Sequence, residues 1–263
     1  MIPKKIHYIW FGGKPLSPMA QRCLLSWKEQ CPDYEIVRWD ETTFDGGGNP
    51  YFEEALQNRQ WAFASDFARL KILVENGGIY MDTDVEVVRN LDAFLTLDAF
   101  AGFESASWIS TGILGCKKSF PLFKQLLEEY DDRRFVKEDG SFDQTPNVVV
   151  ITRAYVDRGL VLNGRRQTIS GLTVYPSEFF SPKDQRTRQV NLTKNTHAIH
   201  HFDGSWLPDE VMTYKKVKES IISMHPRLPY PLASGTALVR ACIEVGNMKP
   251  LQEWLNGRKR ANE

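Results

Sequence analysis

Apolar positions along this chain repeat with period two in some stretches and period three to four in others, and the changes of period mark out its elements. Lys5 to Trp10 and Glu35 to Trp39 read as strands, and Ser17 to Gln30 and Tyr51 to Asn58 as helices. Trp61 to Asn76 is the most strongly patterned helix: Phe63, Leu70, Leu73 and Val74 recur at helical spacing, and Gly77-Gly78 is placed to end it. The short apolar run Ile79-Tyr80-Met81 then leads into Asp82-Thr83-Asp84. Further on, the pattern predicts strands at Val85 to Val88 and Ala99 to Phe103, a turn and strand through Ser110 to Cys116, and a helix from Pro121 to Tyr130. Alternating strands and helices imply an α/β fold, a Rossmann-type mainly parallel sheet flanked by helices, with ligands bound beyond the carboxyl ends of the strands. Trp10 and Asp82-Thr83-Asp84 both occupy such ends.

In a strand, side chains two apart point the same way, so Asp82 and Asp84 are expected to aim at one spot. Paired carboxylates repel unless a cation lies between them, and their oxygens suit hard divalent ions that keep open positions for a substrate's phosphates. The plain alternative is an acidic strand exit. Upstream, Asp66 projects between Leu70 and Leu73, inside the apolar face of its helix, where a carboxylate is costly to bury unpaired. Arg69 lies one turn on, within reach. The two form either a structural ion pair or a pair facing a polar ligand.

The run Trp61-Ala62-Phe63-Ala64-Ser65-Asp66-Phe67-Ala68-Arg69, followed by Gly77-Gly78-Ile79-Tyr80-Met81-Asp82-Thr83-Asp84, resembles the core of DxD-containing sugar-nucleotide glycosyltransferases. That family includes yeast initiating mannosyltransferases and bacterial capsular polysaccharide transferases, and more distantly the large clostridial glucosylating toxins. Two further blocks are similar: Ile2 through Gly13 with Ser26-Trp27 and Asp33-Tyr34, and Ala198-Ile199-His200-His201-Phe202-Asp203-Gly204-Ser205-Trp206. The resemblance implies a GT-A-like fold and a nucleotide-sugar donor, a UDP-sugar first and a GDP-sugar second. It also implies Mn²⁺ or Mg²⁺ and retention of anomeric configuration. Catalytic candidates are Asp66, Arg69, Asp82, Asp84 and Glu104. Donor contacts are expected from Ile9, Trp10, Phe11, Gly12, Asp66, Arg69, Asp82, Ser205 and Trp206, with Trp10 stacking on the base. Neighbours on one strand face opposite ways, so at most one of His200 and His201 can join the carboxylates; the resemblance implies Asp82, Asp84 and His200 as the metal ligands, with His201 as the fallback. His7 reads as a packed residue. Asp143-Gln144 is a second candidate for the acceptor side, and Thr145-Pro146 departs from relatives that carry Gly before the proline.

Composition adds limits. With 263 residues, 42% hydrophobic and 25% charged, the chain can bury a full core, expected as a catalytic domain over 1–210 and a helical segment over 211–263. Thirty-three basic residues balance 33 acidic ones, which argues against a nucleic-acid partner. The segment from Val211 to Glu263 nevertheless holds nine Lys/Arg against four Asp/Glu. Its apolar residues Ile221, Ile222, Leu238, Val239, Cys242 and Ile243 suggest two helices, packed on the main domain or touching an anionic membrane surface. No run approaches the ~20 apolar residues of a membrane span, and the N-terminus does not read as a signal peptide. Cys23, Cys31, Cys116 and Cys242 lack metal-site spacing and read as free thiols. The expected setting is therefore cytoplasmic, and peripheral contact at the inner face of the plasma membrane is the alternative to a tail packed on the main domain. The acceptor is expected to be a glycan or lipid-linked oligosaccharide of a capsule or cell-surface polysaccharide. Two other classes compete: a haloacid-dehalogenase-like phosphatase, from Asp82-Thr83-Asp84-Val85, and a non-catalytic glycan- or nucleotide-sugar-binding domain. Asp131-Asp132-Arg133-Arg134 reads as solvated surface.

Overall fold

The helices start where the sequence supplies caps. Ser17 accepts a hydrogen bond from Ala20 N–H (3.1 Å) and Pro18 occupies the first turn of α1, Pro18–Gln30; Asn49 and Pro50 do the same for α2, Pro50–Gln57. Helix α3, Trp61–Asn76, stops at Gly77 and Gly78, both at positive φ. A side chain on either would collide, with Lys118 N at 2.6 Å or with His7 Nε2 and Lys5 O at 2.9 Å. The chain is described by a computed structural model over residues 1–185, 187–204, 209–224, 234 and 237–239.

The remaining elements are strands β1 Lys5–Ile9, β2 Glu35–Trp39, β3 Gly78–Met81, β4 Val85–Val87, β5 Ala99–Ser105, β6 Trp108–Ile109, β7 Ile113–Cys116, β8 Gln167–Ile169, β9 Leu172–Tyr175 and β10 Ala198–His200, with helices α4 Pro121–Glu128, α5 Asn147–Val156 and α6 Asp209–Met224. The main sheet has the order β2-β1-β3-β7-β5-β9-β8, with β6 paired to β5. Strands β1, β2, β3, β5 and β9 run one way, while β7 and β8 run against them. The fold is thus mixed α/β with a mainly parallel central sheet, as the alternation of elements implies.

Each face of the sheet carries its own core. Strand β3 shows the division, because Tyr80 packs with α2, α3 and α4 whereas Ile79 and Met81 pack with Trp27 of α1. Burial on both faces explains why Ile79-Tyr80-Met81 has no polar position. The Ser26-Trp27 pair holds the chain just past the acidic motif: the Trp27 indole N–H donates to Val85 O (2.7 Å), and Ser26 Oγ accepts from Val87 N–H (2.9 Å).

By contacts the chain divides into two units, Met1–Pro182 with Asn191–His201, and Lys183–Val190 with Phe202–Glu263. Within the second, Val217, Ile221 and Ala237 pack with Tyr214, and Lys215 bonds the carbonyls of Phe202 and Asp203. Ser205, Trp206, Cys242, Ile243 and the Ile222 side chain lie outside the described residues. Cys23, Cys31 and Cys116 are buried and form no disulfide. Among the described residues no helix is long and apolar enough to cross a membrane.

Candidate active site

Asp82, Thr83 and Asp84 do not continue a strand. Strand β3 ends at Met81, and the three residues form a turn closed by Val85 N–H on Asp82 O (3.0 Å). The turn, not the pleat, brings the carboxylates together, which corrects the strand argument. Strand β10 pairs antiparallel with β4, His200 opposite Val85, and carries the imidazole to the same place. Single ligand atoms of Asp82, Asp84 and His200 all lie within 4.8 Å of one another, with His200 Nε2 3.4 Å from Asp84 Oδ1. His201 turns away and meets Glu86 at 2.7 Å. Burial pushes the His200 pKa down, but Asp84, Asp82 and Glu104 outweigh it and hold it above the usual value. Two carboxylates and one imidazole at this spacing form an O/N donor set that fits a hard or borderline divalent ion.

Behind the cluster, Arg69 is fixed from several sides. Its guanidinium meets Asp66 (2.9 Å) and Asp82 (3.5 Å), donates to Thr111 O (2.8 Å) and Ser65 O (3.2 Å), and stacks over the Tyr80 ring at 4.8 Å. Burial opposes its charge, but Asp82, Tyr80 and Asp66 more than compensate and push its pKa up. Asp66 is 9% exposed, and burial raises its pKa to about 6 despite the guanidinium beside it. Arg69 therefore links both carboxylates, so the ion pair is structural and also borders the cluster.

Three further residues that the sequence pattern does not single out contribute to the site. Tyr80 donates its hydroxyl to Asp82 Oδ1 at 2.7 Å and thereby orients that carboxylate. Asn147 opens α5 at 5% exposure beside Asp66, close enough to favour the ionised acid, yet both polar atoms of its side chain lack a well-formed hydrogen bond. Gly112 accepts from Asp82 N–H at 2.8 Å and lies against His200. Tyr80 lies in the apolar run that leads into the acidic motif. Asn147 and Gly112 carry no local signal, because long-range packing sets their partners.

The N-terminal candidates divide. Trp10 is half-buried past the end of β1, which pairs parallel with β3, so Trp10 and Asp82 lie at the same edge of the sheet. Its indole N–H donates to Lys14 O at 2.6 Å. Gly12 donates its N–H to Glu41 and leaves room for Trp61, whose Nε1 would be 2.9 Å from a Cβ there. Ile9 and Phe11 are buried core residues, Phe11 packing on Phe44 and Phe52. His7 is buried between Gly77 O (3.0 Å) and the Trp39 indole N–H (3.2 Å), and burial lowers its pKa to about 4. Glu104 is half-buried on β5 and acts electrostatically on His200. Asp143 is committed to Arg133 (2.8 Å). Arg133 itself stacks on Tyr51 and Tyr130, so the acidic-basic run containing it is not simply solvated surface.

Residues 18–101 match the family described as "Glycosyltransferase sugar-binding region containing DXD motif". Inositol phosphoceramide mannosyltransferase 3 of Schizosaccharomyces pombe is 31% identical over 132 residues, covering 48% of this chain and 36% of the relative. Mannosyl phosphorylinositol ceramide synthase SUR1 of Saccharomyces cerevisiae is 28% identical over 152 residues, covering 52% and 37%. The uncharacterized glycosyltransferase L373 of Acanthamoeba polyphaga mimivirus is 30% identical over 141 residues, covering 49% and 55%. This chain thus spans little more than a third of the two yeast relatives. Among solved structures, the PaToxG glycosyltransferase aligns with a TM-score of 0.45 at 20% identity, over 59% of this chain and 69% of the other. Galactosyltransferase LgtC with donor and acceptor sugar analogues aligns at 0.40 and 14%, over 88% and 95%.

Proposed function

We propose, on the premise that this chain belongs to the glycosyltransferases with a DXD-containing sugar-binding region, that it moves a hexose or N-acetylhexosamine from a nucleotide sugar to a glycan acceptor with retention of configuration. The observation that carries this reading is the convergence of Asp82, Asp84 and His200 within 4.8 Å, with Arg69 bridging Asp82 to Asp66. A divalent ion, Mn²⁺ or Mg²⁺, held by the three side chains would offset the charge left on the diphosphate when the sugar–phosphate bond breaks.

The protein's own groups supply orientation. Arg69, anchored through two backbone carbonyls, presents a cation that cannot swing away, so ordering it costs nothing during the reaction. Asp66, ionised above about pH 6, accepts hydrogen bonds from hydroxyls of the donor sugar, and Asn147 offers both a donor and an acceptor to the same ring. Trp10 provides a face for the base. Glu104 faces the acceptor side.

The donor is a UDP-sugar by preference and a GDP-sugar second. The mannosyl group in the yeast relatives' names keeps GDP-linked mannose among the donors to test. A capsule or cell-surface glycan is the favoured acceptor class, and the basic segment from Val211 onward would serve peripheral membrane contact if that acceptor is lipid-linked. Incubation with UDP- and GDP-sugars plus Mn²⁺, followed by NMR of the product's anomeric proton, tests this. Release of nucleotide from one donor with an α-linked product supports it. Phosphate release from monoesters, or binding without turnover, would replace it with a phosphatase or a binding domain.

A further inference from the structure

The β5–β6 hairpin is rigid at its base and exposes an aromatic ring at its rim. Ser105 faces Trp108 and Phe103 faces Ile109 across it. Ile109 is fully buried, and its N–H donates to Thr152 Oγ1 on α5 (3.0 Å), while Ser110 N–H donates to Gly102 O (2.8 Å). Trp108 on the same short strand is 42% exposed. Burying an indole is among the larger stabilising contributions open to any side chain, and this one is forgone in part.

Strand β6 ends at Ile109, and the chain then bends through Thr111 and Gly112 at the candidate centre. Thr111 O holds Arg69, and Gly112 touches His200 and Asp82. Four residues of extended chain span at most about 13 Å, a distance that a short oligosaccharide bridges. Glu104, on the other strand of the hairpin, lies within electrostatic range of His200. The hairpin therefore carries a carboxylate near the cluster and a partly exposed tryptophan at its rim.

We infer that Trp108 is the stacking platform for a sugar ring of the acceptor, placing a neighbouring hydroxyl at the transfer centre. This rests on the glycosyltransferase reading above. The apolar face of a sugar ring fits an indole face, and the indole N–H can reach a ring hydroxyl. The surroundings favour a saccharide over a lipid surface. Ser105 and Ser107 flank the ring and are exposed, whereas membrane insertion needs continuous apolar area.

The test labels the full chain with 5-fluorotryptophan, identifies the Trp108 signal by its loss in W108F, and titrates mannobiose, maltose, lactose and chitobiose in the presence of Mn²⁺. A saturable shift of the Trp108 signal with one of these sugars is expected, and W108A should weaken that binding about tenfold, W108F much less. A Trp108 signal indifferent to all the sugars overturns the inference, as does unchanged affinity in W108A. Liposome sedimentation that W108A abolishes would assign the ring to a membrane instead and likewise overturn it. Nucleotide release from UDP- and GDP-sugars is read separately. Sugar binding at Trp108 without any release would contradict the transferase reading and leave the platform standing.

Discussion

Gly112 stands directly against His200: a Cβ at position 112 would lie 2.9 Å from His200 Cε1 and 3.2 Å from Asp82 Oδ2. Its φ is not in the left-handed region, so glycine is there for space and not for backbone freedom. Gly112→Ala should therefore push two candidate metal ligands apart with an overpacking cost of about 1–3 kcal/mol. Calorimetric titration with Mn²⁺ should show affinity at least about tenfold weaker, with the Mn²⁺-induced rise in Tm largely gone. Wild-type Mn²⁺ affinity in that variant would show that the cluster does not bind the ion.

Asp66 gives the pH dependence. Its pKa is raised to about 6 by burial, so donor binding should fall as pH drops through that value and the acid takes a proton. The stability contribution has the opposite sign, because the folded state holds the proton more tightly than the unfolded chain. In metal-free protein it is fully present below the ordinary carboxyl pKa of 3.8 and is lost as pH rises through about 6. The acid limb of kcat/KM should be absent or strongly displaced in Asp66→Asn. An identical limb in that variant would assign it to another group.

Asn147 separates function from folding. Both its side-chain polar atoms are buried without a well-formed bond, so Asn147→Ala removes desolvated groups and should leave Tm unchanged or slightly raised. Activity should fall roughly 10- to 100-fold, equal to about 1.4–2.7 kcal/mol of transition-state binding. The acid limb should also move to higher pH, since the amide favours ionised Asp66. A drop in Tm with unchanged kcat/KM would make Asn147 a packing residue.

Trp10→Ala should raise the donor KM about tenfold or more with little change in kcat, because base stacking, roughly 1–3 kcal/mol, acts alike in ground and transition states. Steady-state kinetics with varied donor check this. An unchanged donor KM means that the ring only packs against the protein.

The sequence discloses local features far better than partner choice. Alternating periods imply the mainly parallel sheet, and the Gly77-Gly78 stop is legible because chain reversal leaves a conformational signature. The insertion of antiparallel β7 between β3 and β5 is not legible, since Ile113–Cys116 is apolar whichever neighbours it takes. Asp82 and Asp84 illustrate a grouping expected for the wrong reason: the turn after Met81 brings them together, and no strand passes through them. Arg133 sits in a run of charges that looks solvated, yet Tyr51 and Tyr130, distant in one case and three residues upstream in the other, draw it half inside. Asn147 and Gly112 matter through contacts with Asp66 and His200, far away in the chain, and periodicity carries no trace of such contacts.

The central claim is that the Asp82–Asp84–His200 cluster drives metal-dependent cleavage of a nucleotide sugar, and nucleotide release tests it most directly. Wild type and Asp84→Asn, matched for Tm, are incubated with the UDP- and GDP-sugar panel in Mn²⁺ and again in excess EDTA. The account predicts release by wild type from at least one donor in Mn²⁺, abolished by EDTA and reduced about 100-fold or more in Asp84→Asn. Full release by wild type in EDTA, or by Asp84→Asn in Mn²⁺, would contradict it.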